Sequence, residues 1–257
     1  IQEVIDLLIG TAPIPPLKDT VDTVKTGDPS QPLKGIVSAM FATVDVVQKA
    51  IDRGANFIVA HEPTFYNHAD ETDWLSNDPV HQQKLRLLDR HAIVVFRFHD
   101  YWHRYKPDGI LQGVLRQLEW QDYVHEDETV TIPETTLAEL VARVKRRMQV
   151  PAVRVIGDSS MICRRVGLLP GAWGGRRQIS TIGRDDVDVL ICGEVNEWET
   201  PEYVRDAVAL GQDKGLIVTG HYASEEAGMR WLAEWLRLRL PDVAIHHVPS
   251  RDPFRYA

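Results

Sequence analysis

The chain has 257 residues, of which 44% are apolar and 26% charged, and it carries ten histidines against two cysteines. That length is ample for one large α/β domain or for two lobes with a sizeable core. With 29 basic against 37 acidic residues the net charge is −8, which argues against a nucleic-acid-coating protein, whose affinity comes from basic surface.

Cys163 and Cys192 lie far apart and form no C-x-x-C, so neither a disulfide framework nor a thiolate zinc site is expected. No apolar run approaches the roughly 18 residues of a membrane-spanning helix, and acids stand in IQEVIDLLIG where a signal peptide carries basic residues. A cytoplasmic protein without membrane contact is the expectation.

In chain order, GIVSAMFA (35–42) reads as a strand, Thr43 caps a helix to about Gly54, and NFIVAH (56–61) reads as the next strand, ending on His61. A polar loop from Asn67 to Asp78 follows. Pro79 suits the start of a helix to about His91, and AIVVFRFH (92–99) is a third strand, ending on His99. A break at Pro107 and Gly109 precedes a short helix, and the acidic stretch HEDET (125–129) divides an N-terminal α/β lobe (1–124) from a C-terminal one (125–257). The second block runs strand VTIP, helix TLAELVARVKRRM (136–148), strands VRVIG and RRVGLL, loop PGAWGG and strand VDVLICGE. Helix TPEYVRDAVALG follows, with Thr200 before Pro201 as its cap, and then strand GLIVTGH (215–221). Helix SEEAGMRWLAEWLRLRL has an apolar face of Trp231, Leu232 and Trp235, suited to core or to an assembly surface, and VAIHHVP is the last strand. This alternation predicts an α/β fold of βαβ units with mixed, largely parallel sheets.

Three strands end in a histidine: His61, His99 and His221. In open α/β sheets ligands sit outside the carboxyl ends of the strands, so such endings can converge. Glu62 follows His61 directly, His103 lies four residues after His99, and Glu225 four after His221; on helices the latter two pairs share a face. A single histidine at a strand end is more often hydrogen-bonded than metal-bound, and the joint pattern is what points to metal. Nitrogen and carboxylate oxygen suit zinc, iron, manganese or nickel, and at about three ligands per ion, six donors fit two divalent ions that activate a shared water.

The stretch GANFIVAHEPTFYNH, and more strongly GEVNEWETPEYVRDAVALG with GHYASE (220–225) and the terminal strand running to DPF, resembles the Ngg-one-interacting factor three family, also called GTP cyclohydrolase I type 2 homologues. The resemblance covers nearly the whole chain. It implies a two-lobed α/β fold, a dinuclear metal site in the inter-lobe cleft and a ring-shaped homohexamer. By position it puts the metal ligands on His61, Glu62, His99, His103, His221 and Glu225. Two of these depart from the family pattern: Glu62 stands for a histidine and His103 for an aspartate. The exchanges compensate each other, and Asp100 is the alternative donor.

The reading that follows is a hydrolase with two divalent metal ions acting on a small-molecule substrate, polar or nucleotide-like; the alternative is a metal-binding regulatory protein without turnover. Glu62 and Glu194 are the candidate catalytic proton carriers, while Glu197 serves equally well as a helix cap. His68 is a candidate for the shell around the ligands, with loop surface the plainer role. Arg97, Arg104, Arg164, Arg165, Arg176 and Arg177 could meet an anionic substrate or simply be scattered surface residues. The PGAWGG loop lacks P-loop spacing.

Overall fold

The runs IVSA, FIVA and VVFR are apolar almost without interruption, as strands covered on both faces must be. In the computed structural model, which describes residues 1–125 and 128–255, they form strands β2 (Ile36–Ala39), β3 (Phe57–Ala60) and β4 (Val94–Arg97), buried at every position. Helix α1 (Gln2–Gly10) and strand β1 (Val24–Thr26) precede them, neither of which the periodicity had marked. Helix α2 (Val44–Asp52) joins β2 to β3, and Thr43 caps it by accepting from the Val46 N–H at 3.2 Å. Helix α3 (Pro79–Arg90) joins β3 to β4; Asp78 caps it on the Val80 and His81 N–H groups, both at 2.9 Å, with Pro79 in the first turn. Helix α4 (Asp100–Arg104) follows β4 at once.

Helix α5 (Gly109–Leu118) leads to strand β5 (Thr129–Thr136), which is twice as long as the VTIP segment. Helix α6 (Leu137–Met148) starts in a capping box between Thr136 and Glu139. Strands β6 (Arg154–Ile156) and β7 (Ile162–Leu169) come next. Helix α7 (Gly175–Ile182), which starts on the last residue of the PGAWGG loop and runs through residues given no element above, separates β7 from β8 (Val189–Cys192). Helix α8 (Thr200–Ala209) leads to β9 (Gly215–Val218). Thr200 is not its cap: Glu199 holds that position, and the Thr200 hydroxyl donates inward to Gln178 Oε1 at 2.8 Å. The second sheet has the order β5-β7-β8-β9-β6, with β7, β8 and β9 parallel and antiparallel strands at both edges.

Helix α9 (His221–Arg239) begins on the histidine itself, and strand β10 (Ile245–His247) pairs parallel to β2. The first sheet therefore has the order β1-β4-β3-β2-β10, with only β1 antiparallel. The chain divides into two compact units, residues 1–110 with 228–251, and residues 111–227 with the chain after Arg251. The expected division at 124/125 is corrected on both sides. The first boundary falls inside α5, and the chain returns to the first unit because β10 covers the edge that β2 would otherwise expose. Glu126 and Asp127 of the acidic stretch lie outside the described residues.

Val37, Ile58, Val95, Val46, Val47 and Leu88 form the core between the first sheet and α2 and α3. Leu169, Leu190, Leu216, Ile182 and Val204 do the same for the second sheet with α7 and α8. The aromatic face of α9 is core rather than open surface: Trp235 packs edge-on against Trp102 and Tyr105, with ring centroids 6.2 and 5.7 Å away. Among the described residues, no helix is long and apolar enough to cross a membrane.

Candidate metal centre

In the first unit, β3 ends at Ala60 and hands His61 and Glu62 to the carboxyl end of the sheet. Their N–H groups are fixed there by the Met40 carbonyl at 3.1 and 2.9 Å. The neighbouring strand β4 ends at Arg97, and His99 caps the single helical turn that carries His103. The His103 N–H donates to the His99 carbonyl at 3.1 Å, which places both imidazoles on one side of the turn. The rings of His61 and His99 stack at 4.5 Å between centroids, and His103 stands edge-on to both, at 5.0 and 4.9 Å. One nitrogen from each of the three lies within 4.8 Å of the others.

Each Nδ1 of this triad faces an oxygen. His61 Nδ1 is 3.2 Å from the Phe98 carbonyl, His99 Nδ1 is 2.9 Å from Asp100 Oδ1, and His103 Nδ1 is 2.9 Å from Asp108 Oδ2. Carbonyl and carboxylate oxygens accept, so Nδ1 carries the proton and Nε2 keeps a lone pair for a ligand role. Bonds of about 2.0–2.1 Å to a tetrahedral ion would bring ligand nitrogens to about 3.4 Å apart, a modest contraction of what the triad already has. Glu62 Oε1 lies 3.8 Å from His99 Nε2, within the same range, while its Oε2 lies 3.5 Å from Arg97 Nη2. The donor set fits a divalent cation of the zinc to iron class.

Several residues that hold this arrangement carried no sequence signal. Asp22 is buried and accepts from three successive N–H groups at the head of α4: Oδ1 takes His99 at 2.7 Å and Asp100 at 3.0 Å, and Oδ2 takes Tyr101 at 2.8 Å. Burial raises its carboxyl above the usual range, against the pull of these hydrogen bonds. Asp100 is a support rather than an open donor, because its Oδ2 accepts from the Thr20 hydroxyl at 2.8 Å and the Val21 N–H at 3.1 Å. Burial pushes the Asp100 carboxyl up, but the hydrogen bonds from His99, Thr20 and Val21 outweigh it and hold the group below its ordinary value.

Arg97 is fully buried, so both roles offered for it, meeting a substrate and lying on the surface, are corrected. Its Nε donates to the His61 carbonyl at 3.1 Å, its Nη1 to the His68 carbonyl, and it pairs with Glu62 and Asp70. Five directed donors suit arginine to this task, and the loop from His61 to Asp70 is wrapped around them. His68 itself is exposed, its ring edge-on to His99 at 6.1 Å. Arg165 pairs with Asp186 and Arg177 with Glu128, both in the second unit.

In the second unit, His221 opens α9 just beyond β9. Its Nδ1 is 3.0 Å from Glu194 Oε1 and its Nε2 is 3.0 Å from Glu225 Oε2. With Nδ1 donating to Glu194, Nε2 and the Glu225 carboxylate are two donor atoms side by side that a metal ion can share. Glu225 is buried against the backbone of Gly171, whose φ of +79° and missing Cβ let the carboxylate approach. The Ser224 hydroxyl accepts from the Gly171 N–H at 2.9 Å and donates to the His221 carbonyl at 2.7 Å, tying the loops after β7 and β9 together. Glu197 stands apart, paired with Arg154 at 2.7 Å on the surface.

The sequence pattern of the family described as Duf34/NIF3 (NGG1p interacting factor 3) matches residues 1–253. A Clostridium perfringens protein named GTP cyclohydrolase 1 type 2 homolog is 21% identical, over 100% of this chain and 99% of that protein. One of the same name from Escherichia coli K12 is 26% identical over 84% of each. The crystal structure of a Bacillus cereus protein related to NIF3 superposes with a TM-score of 0.80 at 16% identity, covering 100% of this chain and 98% of that one.

Proposed function

Because the chain belongs to the Duf34/NIF3 family, we propose that it is a hydrolase dependent on two divalent ions, acting on a small polar or nucleotide-like substrate. The observation that carries this reading is the triad of His61, His99 and His103, each with an oxygen at Nδ1 and a lone pair at Nε2. Glu62 completes the donor set in the first unit, and His221 with Glu225 supplies the donors of the second. Ions at these residues would supply Lewis-acid activation of water and polarisation of the group attacked.

The chain's own part is to hold and move protons. Asp100, Asp108 and Glu194 fix the tautomers of His99, His103 and His221 through Nδ1. Glu62 takes up the proton released from the attacking water if it is not itself a ligand, with Arg97 stabilising its charge; Glu194, exposed at the edge of its site, is the alternative carrier. The name shared by the relatives, GTP cyclohydrolase 1 type 2 homolog, supports a purine nucleotide as first substrate to try, and a cytoplasmic homohexamer belongs to the same proposal.

The family's description as an interacting factor supports a second reading, a metal-binding partner protein without turnover. Elemental analysis of the reconstituted chain, alongside hydrolysis assays on GTP and on ester and amide substrates, separates the two. Two ions per chain with turnover support the hydrolase; two ions without turnover favour the second reading. No bound metal in the wild type, with His61→Ala and His221→Ala indistinguishable from it, would sink both.

A further inference from the structure

In the first unit, the segment from Lys18 to Val21 walls a shallow cavity of about 470 Å³, completed by His68 and Asp100. That volume falls within the roughly 300–1,000 Å³ of small-molecule sites. Two of its walls touch the triad's surroundings: Asp100 Oδ1 holds His99 Nδ1 at 2.9 Å, and the His68 ring lies 6.1 Å from that of His99. None of the six lining residues belongs to the metal-ligand set assigned above.

The chemistry of the walls is unevenly used. Both oxygens of Asp100 are occupied, by His99 on one side and by Thr20 and Val21 on the other. By contrast, the Lys18 ammonium and the consecutive N–H groups of Lys18, Asp19 and Thr20 have no hydrogen-bond or ion-pair partner among the described residues. Unpaired backbone N–H groups and a lysine ammonium are the kinds of donor an oxyanion takes. The one uncommitted carboxylate in the walls, Asp19, is exposed as Lys18 is, so solvent and salt screen the repulsion of one and the attraction of the other alike, and the backbone donors carry a correspondingly larger share of the binding.

We propose that this cavity binds the phosphate group of a small-molecule ligand, with Lys18 as its charge partner and the 18–20 amides and the His68 ring as further donors. That the ligand is the substrate rests on the hydrolase reading; that the cavity takes phosphate does not. The binding would present the rest of the ligand beside His99.

The test is calorimetric titration of the full chain with inorganic phosphate, after chelator treatment so that no ion can hold the anion, together with the metal content of each variant after reconstitution. Wild type is expected to bind, Lys18→Met to bind about tenfold more weakly, and Lys18→Arg to retain affinity, because one charge-assisted contact is worth about that factor. Metal content should be the same in all three. Absence of phosphate binding in the wild type, or equal affinity in Lys18→Met, overturns the inference. If phosphate binding depends on Lys18 but no metal binds, the hydrolase reading fails alone; if metal binds and Lys18→Met changes nothing, the phosphate site fails alone.

Discussion

The triad depends on small polar contacts that orient each ring, and Asp108 is the plainest of them. It lies five residues after His103, outside α4, and its Oδ2 meets Nδ1 at 2.9 Å. Replacing Asp108 with alanine frees the ring to flip, and metal affinity should fall about 10–100-fold, read by competition with a chromogenic chelator, while the circular-dichroism spectrum is unchanged. Unaltered affinity would mean that His103 is not a ligand. Lys84 is a different kind of residue, a buried amine that braces the loop after Glu62. Its Nζ donates to the Thr64 carbonyl at 2.7 Å and lies 5.6 and 5.4 Å from the Phe65 and Tyr66 rings. Burial pushes it down from 10.5 to about 8, against the pull of Asp70. Between those two values the folded chain has released a proton that the unfolded chain still holds, so stability rises with pH across that window, and below about 8 both states are protonated and the slope vanishes. Urea denaturation of wild type and Lys84→Met should give a stability difference that moves in favour of wild type from about pH 8 upward. A flat difference would show that the amine stays charged when folded.

At the scale of elements, the weak part of the site is α4, five residues long and far below the roughly 12–15 at which an isolated helix becomes marginally stable. Asp22 supplies what the length does not, by satisfying three of its leading N–H groups from a loop 77 to 79 residues earlier. Asp22→Ala should cost about 1–2 kcal/mol in denaturant unfolding, as loss of a cap does, and should lower metal affinity with it. Asp22→Asn keeps one acceptor oxygen but turns its NH2 toward the N–H group or groups that the other oxygen now serves, so it should recover only part of both. A loss of stability without any loss of metal affinity would detach α4 from the ligand role. The same contrast decides what was legible in the sequence. Strands β2, β3, β4, β8 and β9 are buried on both faces, so their apolar runs stand out, and the histidines after them were visible as strand endings. Helix α7 has Gly174 at its N-cap and no side-chain cap, and β1 is three half-buried residues, so neither carries a local start signal. Strand β10 was readable as a strand but not as the partner of β2, because parallel pairing across nearly the whole chain leaves no mark in either segment. Asp22 and Arg97 belong to the same class: their roles are set by tertiary contacts, not by spacing.

For the whole molecule, the two units have the same construction. Each carries a parallel βαβαβ run, β2-α2-β3-α3-β4 in one and β7-α7-β8-α8-β9 in the other, and each delivers histidine and glutamate just past the carboxyl ends of its strands. Whether the two donor sets act as one centre is a question of thermodynamic coupling. An ion that binds only the native state stabilises it by about 2.7 kcal/mol at a hundredfold excess over Kd, and about 2–4 °C per kcal/mol in a chain of this size makes that a rise in Tm of roughly 5–10 °C. Zinc should produce such a rise in the wild type and chelator should abolish it. His61→Ala and His221→Ala then form a cycle read as the zinc-induced change in Tm. If the six donors serve one two-metal centre, either single variant loses most of the rise and the double variant loses little more, the non-additivity of residues that share a partner. If each unit holds its own ion, the two losses add. Additive losses would retain metal binding but remove the shared activated water on which the hydrolase proposal depends.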